Sequence, residues 1–243
     1  MGNKIVVKDI VAGYGSVRVL HGVSVEVNDG ETVALLGTNG NGKSTLLKCI
    51  MGILRPFSGE IYFEHDGERI DLVGKRPEEI VSLGIGMVPE GRRLFPKLTV
   101  EENLHLGAYR MEAREELGKN LRFCFDAFPV LEGRKRQLAG SMSGGEQQML
   151  AVARALMSDP KLLLIDEPSV GLAPILVSQM IEKIGELPGS KGLTVLMAEQ
   201  NFNQAIRIAD RGYIIVHGEI AFASKDAADL SENEMVKTYY LGA

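Results

Sequence analysis

Thiols are scarce in this 243-residue chain: Cys49 and Cys124 are the only two, and no C-x-x-C spacing joins them. That excludes a disulfide scaffold and a thiolate metal centre. Both fall in apolar stretches of helical character, KCIMGIL and LRFCFDAF, where reduced, buried thiols are expected, pointing to the cytoplasm. Histidine is nearly as sparse, and His21, His65, His105 and His217 show no ligand spacing, so no transition-metal site is expected. Apolar runs such as LLLI (162–165) and LTVLMA (193–198) fall far short of the roughly 18 residues of a membrane helix. The chain is expected to cross no membrane itself. MGNKIVVKDI has neither a signal-peptide core nor the Ser or Thr of a myristoylation site, so neither export nor lipidation is expected. Positive charge is also in deficit, with a net charge of −5, which disfavours nucleic acid or an anionic membrane as partner. The one basic cluster, Arg134-Lys135-Arg136, reads as a solvated loop. Any anion binding must therefore be local.

With 45% apolar residues, the chain can bury a large core without staples. Residues 3–36 alternate with period two through KIVVKDI and VSVEV, then reach the continuous apolar run of ETVALLG, the pattern of a buried strand. A glycine-rich turn at 37–42 leads into KSTLLKCIMGIL, whose Leu46, Leu47, Ile50, Ile53 and Leu54 recur at helical spacing. Asp66-Gly67 marks a hairpin within GEIYFEHDGERIDL. From about 96 to 155 the pattern is helical: Thr99 and Glu102 form a capping box, and Leu117, Leu121, Cys124, Phe125 and Phe128 make one stripe. β/α alternation resumes with KLLLIDEP, ILVSQMIEKIGEL and LTVLMAE, the mark of a mainly parallel sheet flanked by helices. YIIVHGEIAFAS (213–224) reads as a hairpin turning at His217-Gly218, and Ser231 with Glu234 as a further capping box. No internal repeat or low-complexity linker interrupts the chain.

Gly37-Thr38-Asn39-Gly40-Asn41-Gly42-Lys43-Ser44 matches G-x-x-x-x-G-K-[ST] between a strand and a helix, with Thr45 next in the helix. Such glycines let backbone N–H groups turn toward a β-phosphate, Lys43 reaches the β- and γ-phosphates, and Ser44 supplies an oxygen to Mg²⁺. The strand LLLI delivers Asp166 and Glu167 to the same sheet edge. Asp166 is expected to hold Mg²⁺ and Glu167 to polarise the water that attacks the γ-phosphate. Ser143-Gly144-Gly145-Glu146-Gln147 opens a helix, with Ser143 23 residues before Asp166 of the acidic strand. Ser143 and Glu146 form a capping box, and the same geometry presents free N–H groups to an anion.

In this order of motifs the chain resembles the ABC ATPase family over essentially its whole length. The resemblance implies an α/β, phosphate-loop ABC ATPase core of mainly parallel sheet, with an antiparallel β subdomain and an inserted helical subdomain. It divides one domain into core at 1–95, helical signature subdomain at 96–155, and core with hairpin and helices at 156–243. It implies that Tyr14 stacks on adenine and that Ser143, Gly144, Gly145 and Glu146 close on ATP held by an opposing ATPase chain. Three positions depart from the common pattern: Glu90 stands where glutamine is usual, Gln200 where a switch histidine is usual, and Ala173 where aspartate is usual. Glu90 can still approach Mg²⁺, and Gln200 can donate an amide N–H to the reacting phosphate but carries no charge. Ala173 has no polar role.

VPEGRRLFPKLTVEENL, SGGEQQMLAVARALM, DEPSVGLAPILV and AEQN together resemble one ATPase of bacterial branched-chain amino-acid importers, the LivF type. That implies ATP and Mg²⁺, transmembrane permease subunits, a periplasmic binding protein contacted indirectly, no nucleic acid, and residence on the cytoplasmic face of the inner membrane. A related importer of urea, amides or other amino acids, and a soluble ABC ATPase without a transport role, stay open. A GTPase is disfavoured, because D-x-x-G at Asp71–Gly74 has no accompanying N-K-x-D. Glu90 to Phe95 joins the core to the helical insertion, whose outer face is expected to dock a permease helix.

Overall fold

The computed structural model describes residues 2–232. The chain begins with two long antiparallel strands, β1 (Lys4–Tyr14) and β2 (Val17–Val27), then the buried strand β3 (Thr32–Leu36) and helix α1 (Lys43–Ile50). The hairpin β4 (Ser58–His65) and β5 (Glu68–Asp71) follows, turning at Asp66 and Gly67 with φ of 51° and 84°. Both left-handed values are those an Asp-Gly hairpin turn requires. Next come α2 (Pro77–Ser82), β6 (Ile85–Val88) and the helices α3 (Val100–Gly107), α4 (Met111–Glu115), α5 (Leu117–Ala127), α6 (Pro129–Gly133) and α7 (Gly144–Leu156). The chain then re-enters the sheet through β7 (Leu162–Asp166), α8 (Pro174–Lys191), β8 (Thr194–Glu199), α9 (Phe202–Ala205), β9 (Arg211–Val216), β10 (Glu219–Ala223) and α10 (Ala227–Glu232).

Two sheets result. One is antiparallel, in the order β2-β1-β4-β5; the other has six strands in the order β10-β9-β3-β8-β7-β6. Within the second, β9, β3, β8, β7 and β6 run parallel and β10 returns antiparallel. The apolar runs are continuous because both faces of this sheet are covered, and alternate residues enter different cores. Val33, Leu35, Leu162, Leu164, Leu196 and Ala198 pack with α1 and the antiparallel sheet. Ala34, Leu36, Leu163, Ile165, Val195 and Met197 join a second core with residues of α3, α5, α7 and α8.

The capping boxes at Thr99 and Ser143 form as the sequence predicts, and Cys49 and Cys124 are free and buried. The first helix is shorter than its apolar spacing predicts. It ends at Ile50, Gly52 adopts φ 68°, and Ile53 is exposed. A Cβ at Gly52 would lie 2.5 Å from the Lys75 carbonyl, so close backbone approach stops the helix. Ser231 lies inside α10, where its hydroxyl donates to the Ala228 carbonyl, and Glu234 lies outside the described residues. Among the described residues no helix is long and apolar enough to cross a membrane.

Candidate active site

The ends of several strands create the site. The loop after β3 carries Thr38, Asn39 and Gly40 on its exposed side, and its last glycine, Gly42, has φ 98°, a value that strains any other residue. At Gly37 a Cβ would meet the Ile215 carbonyl at 2.7 Å, so the turn also needs glycine where it passes β9. Asn41 braces the loop: its amide donates to Thr38 Oγ1 at 2.8 Å, and its Oδ1 accepts from the His217 N–H at 2.8 Å. The hairpin β9–β10 thus supports the loop from a position about 175 residues further along.

Lys43 opens α1 and is buried. Its ammonium donates to the carbonyls of Gly37 at 2.6 Å and Thr38 at 3.1 Å, and pairs with Glu167 Oε1 at 2.9 Å. Ser44 Oγ donates to Asp166 Oδ1 at 2.9 Å, and Thr45 is buried behind it. Asp166 ends β7; Glu167 follows with φ 47° and donates its N–H to the Ala198 carbonyl at 2.9 Å. A left-handed glutamate of this kind is held by its surroundings, here by β8 and by Lys43. Burial pushes the Asp166 carboxyl up to about 6, opposed by the Ser44 hydrogen bond and by Lys43, and assisted by the negative charges of Glu167 and Glu90.

Glu90 follows β6 by two residues and, with Ser44, Lys48 and Asp166, lines a cavity of about 300 Å³. Among the described residues no group of three His, Cys, Asp or Glu is gathered to hold a metal unaided. Ser44 and Asp166, with Glu90 on the same cavity, form an all-oxygen set of the type that suits Mg²⁺ when water and phosphate complete its shell. Tyr14 ends β1, 48% exposed, with its hydroxyl 3.3 Å from Lys48 Nζ and its ring centroid 5.7 Å from that ammonium. Gln200 is exposed immediately past β8.

Ser143 to Glu146 lie apart from this group. Ser143 N–H donates to Glu146 Oε2 at 2.9 Å, and Glu146 pairs with Arg134 at 2.8 Å. No hydrogen bond or ion pair among the described residues joins Ser143–Glu146 to Lys43, Ser44, Asp166 or Glu167. Between them lies a cavity of about 410 Å³ lined in part by Glu90, Arg92, Gln147, Glu167 and Gly171. The sequence reading placed Arg92 only within the segment from Glu90 to Phe95 and passed over Glu199. Arg92 has φ 64°, donates to Gln147 Oε1 at 3.1 Å, and lies so near Gly144 that a Cβ there would meet its guanidinium at 3.1 Å. Glu199 is a wholly buried carboxylate following the apolar run Val195 to Ala198. That contrast was the available signal.

A family model described as "ABC transporter" matches residues 20–170. The high-affinity branched-chain amino acid transport ATP-binding protein BraG of Pseudomonas aeruginosa is 49% identical over 229 residues, covering 94% of this chain and 95% of that one. A probable branched-chain amino acid transport ATP-binding protein, LivF of Archaeoglobus fulgidus, is 37% identical over 95% of each chain. The ADP conformation of an ATP-binding cassette of an ABC transporter superposes with a TM-score of 0.82 at 29% identity, covering all of both chains. A dimeric bacterial ABC transporter cassette superposes with a TM-score of 0.77 at 28% identity, covering 91% of this chain and 98% of the other.

Proposed function

The chain belongs to the ABC transporter ATP-binding family, and on that premise we propose that it hydrolyses MgATP to drive import of branched-chain amino acids. The observation that carries this reading is the meeting of Lys43, Ser44, Asp166 and Glu167 at one sheet edge, through contacts of 2.9 Å from each member of the loop pair to one of the acidic pair. The 49% identity to a branched-chain amino acid transport ATP-binding protein supports the choice of solute.

Phosphate entering the loop meets the N-terminal end of α1 and draws Lys43 from its pairing with Glu167. Released, Glu167 orients the attacking water and takes its proton in hydrolysis. Ser44 and Asp166, with Glu90 close by, would hold Mg²⁺, which would supply positive charge to offset that of the phosphates. Tyr14 supplies a half-exposed ring for the adenine, and Gln200 an amide donor beside the γ-phosphate. The remoteness of Ser143–Glu146 from the chain's own Lys43 fits a role in closing the site of a second ATPase chain. The segments 1–95 and 156–243 are read as the core and 96–155 as the helical subdomain.

Phe95, Leu106 and Tyr109, each about half exposed, border a groove of about 320 Å³ that also takes in Met87, Ala151 and Arg154. This groove receives a helix of a transmembrane permease subunit, with a periplasmic binding protein acting on the far side. The chain then works from the cytoplasmic face of the inner membrane. Purification of the assembly through this chain tests the whole reading: permease chains copurify and leucine-loaded binding protein raises ATP turnover. Glu167→Gln should bind ATP yet hydrolyse it about 10²–10⁴-fold more slowly. Near-normal turnover in that variant would refute the assignment of the base.

A further inference from the structure

Glu199 closes β8 behind five buried residues, Thr194 to Ala198, and is itself fully buried. A carboxylate in such a place is costly unless several donors reach it. Four do. Oε1 accepts from the Ser169 N–H at 3.0 Å, while Oε2 accepts from Ser169 Oγ at 2.9 Å and from the N–H groups of Gln200 at 3.0 Å and Asn201 at 3.1 Å. The backbone carbonyl of the same residue accepts from the Gly37 N–H at 3.3 Å.

These bonds reach three separate loops. Ser169 lies two residues past Glu167, Gln200 and Asn201 open the loop after β8, and Gly37 begins the phosphate loop. Simple helix capping does not account for the arrangement, because Asn201 already caps α9 with its own side chain, accepting from the Gln204 N–H at 3.3 Å. Nor does apolar packing, which a leucine would serve at lower desolvation cost. Burial raises the carboxyl above its ordinary range, and the four donors oppose that rise.

We propose that Glu199 is a positioning residue for ATP hydrolysis, its carboxylate fixing the loop that carries Glu167 against the loop that carries Gln200. The inference rests on the reading of Glu167 as the base. Glutamine at 199 keeps the shape but leaves one acceptor oxygen. Its amide nitrogen must face either the Ser169 N–H or the N–H groups of Gln200 and Asn201, and two donors facing each other loosen the hold on one loop. Displacement of a catalytic group by a fraction of an ångström to one ångström acts on turnover, not on nucleotide affinity.

The test uses steady-state ATP hydrolysis by the assembly purified through this chain, with kcat expressed per bound nucleotide so that misfolded protein does not count. Glu199→Gln should lower kcat on the order of 10-fold, with KM for ATP within about 2-fold of wild type. Ser169→Ala, which removes only the hydroxyl bond, should lower kcat less, and the double variant should be no slower than Glu199→Gln alone. Wild-type kcat in folded Glu199→Gln, a change confined to KM, or strictly additive losses would each overturn the proposal. Should Glu199→Gln not fold, Ser169→Ala decides from the other end of the contact, and unchanged turnover there would also overturn it. Glu167→Gln run in parallel separates the two failures: if it stays active the base is misassigned, whereas if it is inactive and Glu199→Gln is normal, only the positioning role falls.

Discussion

Replacing Asp166 by asparagine should stabilise the nucleotide-free chain while weakening its response to MgATP. The side chain is buried, and its carboxyl stands at about 6 against an ordinary 3.8, with burial the leading cause and the charges of Glu167 and Glu90 adding to it. Above pH 6 the folded protein holds an ionised group that the fold disfavours; between about 6 and 3.8 it takes up a proton that the unfolded chain does not. The stability contributed by this position therefore rises as pH falls through that window. The interval corresponds to about 3 kcal/mol at pH 7.5, roughly half of that at pH 5, and fades out near pH 3. Asparagine keeps an acceptor for Ser44 and carries no charge at any of these pH values, so it escapes the cost. Thermal melts should place Asp166→Asn about 6–12 °C above wild type at pH 7.5 without ligand, with the gap closing toward pH 4. Saturating MgATP should then raise wild type by about 2.7 kcal/mol at one hundred times its Kd, and the variant by much less. A variant less stable than wild type without ligand, or a gap indifferent to pH, would refute the reasoning.

Lys43→Ala removes the buried ammonium that donates to the phosphate-loop carbonyls and should abolish most MgATP affinity, measured by equilibrium binding; unchanged affinity would remove the loop from the site. Lys43→Ala and Ser143→Arg should each fail to occlude ATP alone in a Glu167→Gln background, yet regain up to one ATP per pair when mixed. Wild-type chain must occlude under the same conditions, and persistent failure of the mixture would count against sites shared between chains. Phe95→Asp should leave ATP binding intact and lower the solute transported per ATP hydrolysed in reconstituted vesicles, whereas normal coupling would exclude the groove as the permease contact. Arg211→Met breaks a pair with Glu31 of 2.6 Å and 3.1 Å and strips donors from the Glu26 carbonyl and the Tyr213 hydroxyl. Its melting point should fall by an amount equivalent to about 2–4 kcal/mol with kcat unchanged, and a kcat effect would give this pair a role beyond folding.

The phosphate loop was legible because it is continuous in sequence and Gly40 and Gly42 answer a local demand for positive φ, whereas Gly37 answers the approach of Ile215. The acidic pair was legible for the same reason: Leu162 to Ile165 are an apolar strand, and polarity switches on at its end. The hairpins at Asp66-Gly67 and His217-Gly218 were also written locally, in residues that tolerate positive φ. Ile53 misled because it keeps the helical period after the helix has stopped, and the stop comes from the Lys75 carbonyl pressing on Gly52, a contact no local pattern encodes. Glu199 was passed over, and Arg92 was placed only in a connecting segment, because their meaning lies in partners 30 and 55 residues away.

The sequence alone determined the period-two opening strands, the continuous apolar strands, the helical stretch that follows, the phosphate loop and the acidic pair, since each follows from side-chain chemistry at short range. Only the tertiary structure decided that Lys43 pairs with Glu167, that Ser44 bonds Asp166, that the β9–β10 hairpin braces Asn41, and that Glu199 binds loops together. The physical reason is that hydrogen bonds and ion pairs act over about 3 Å. Which distant residues come within that range is settled by how the parallel strands align at their carboxyl ends, a property of the whole sheet and of no segment within it.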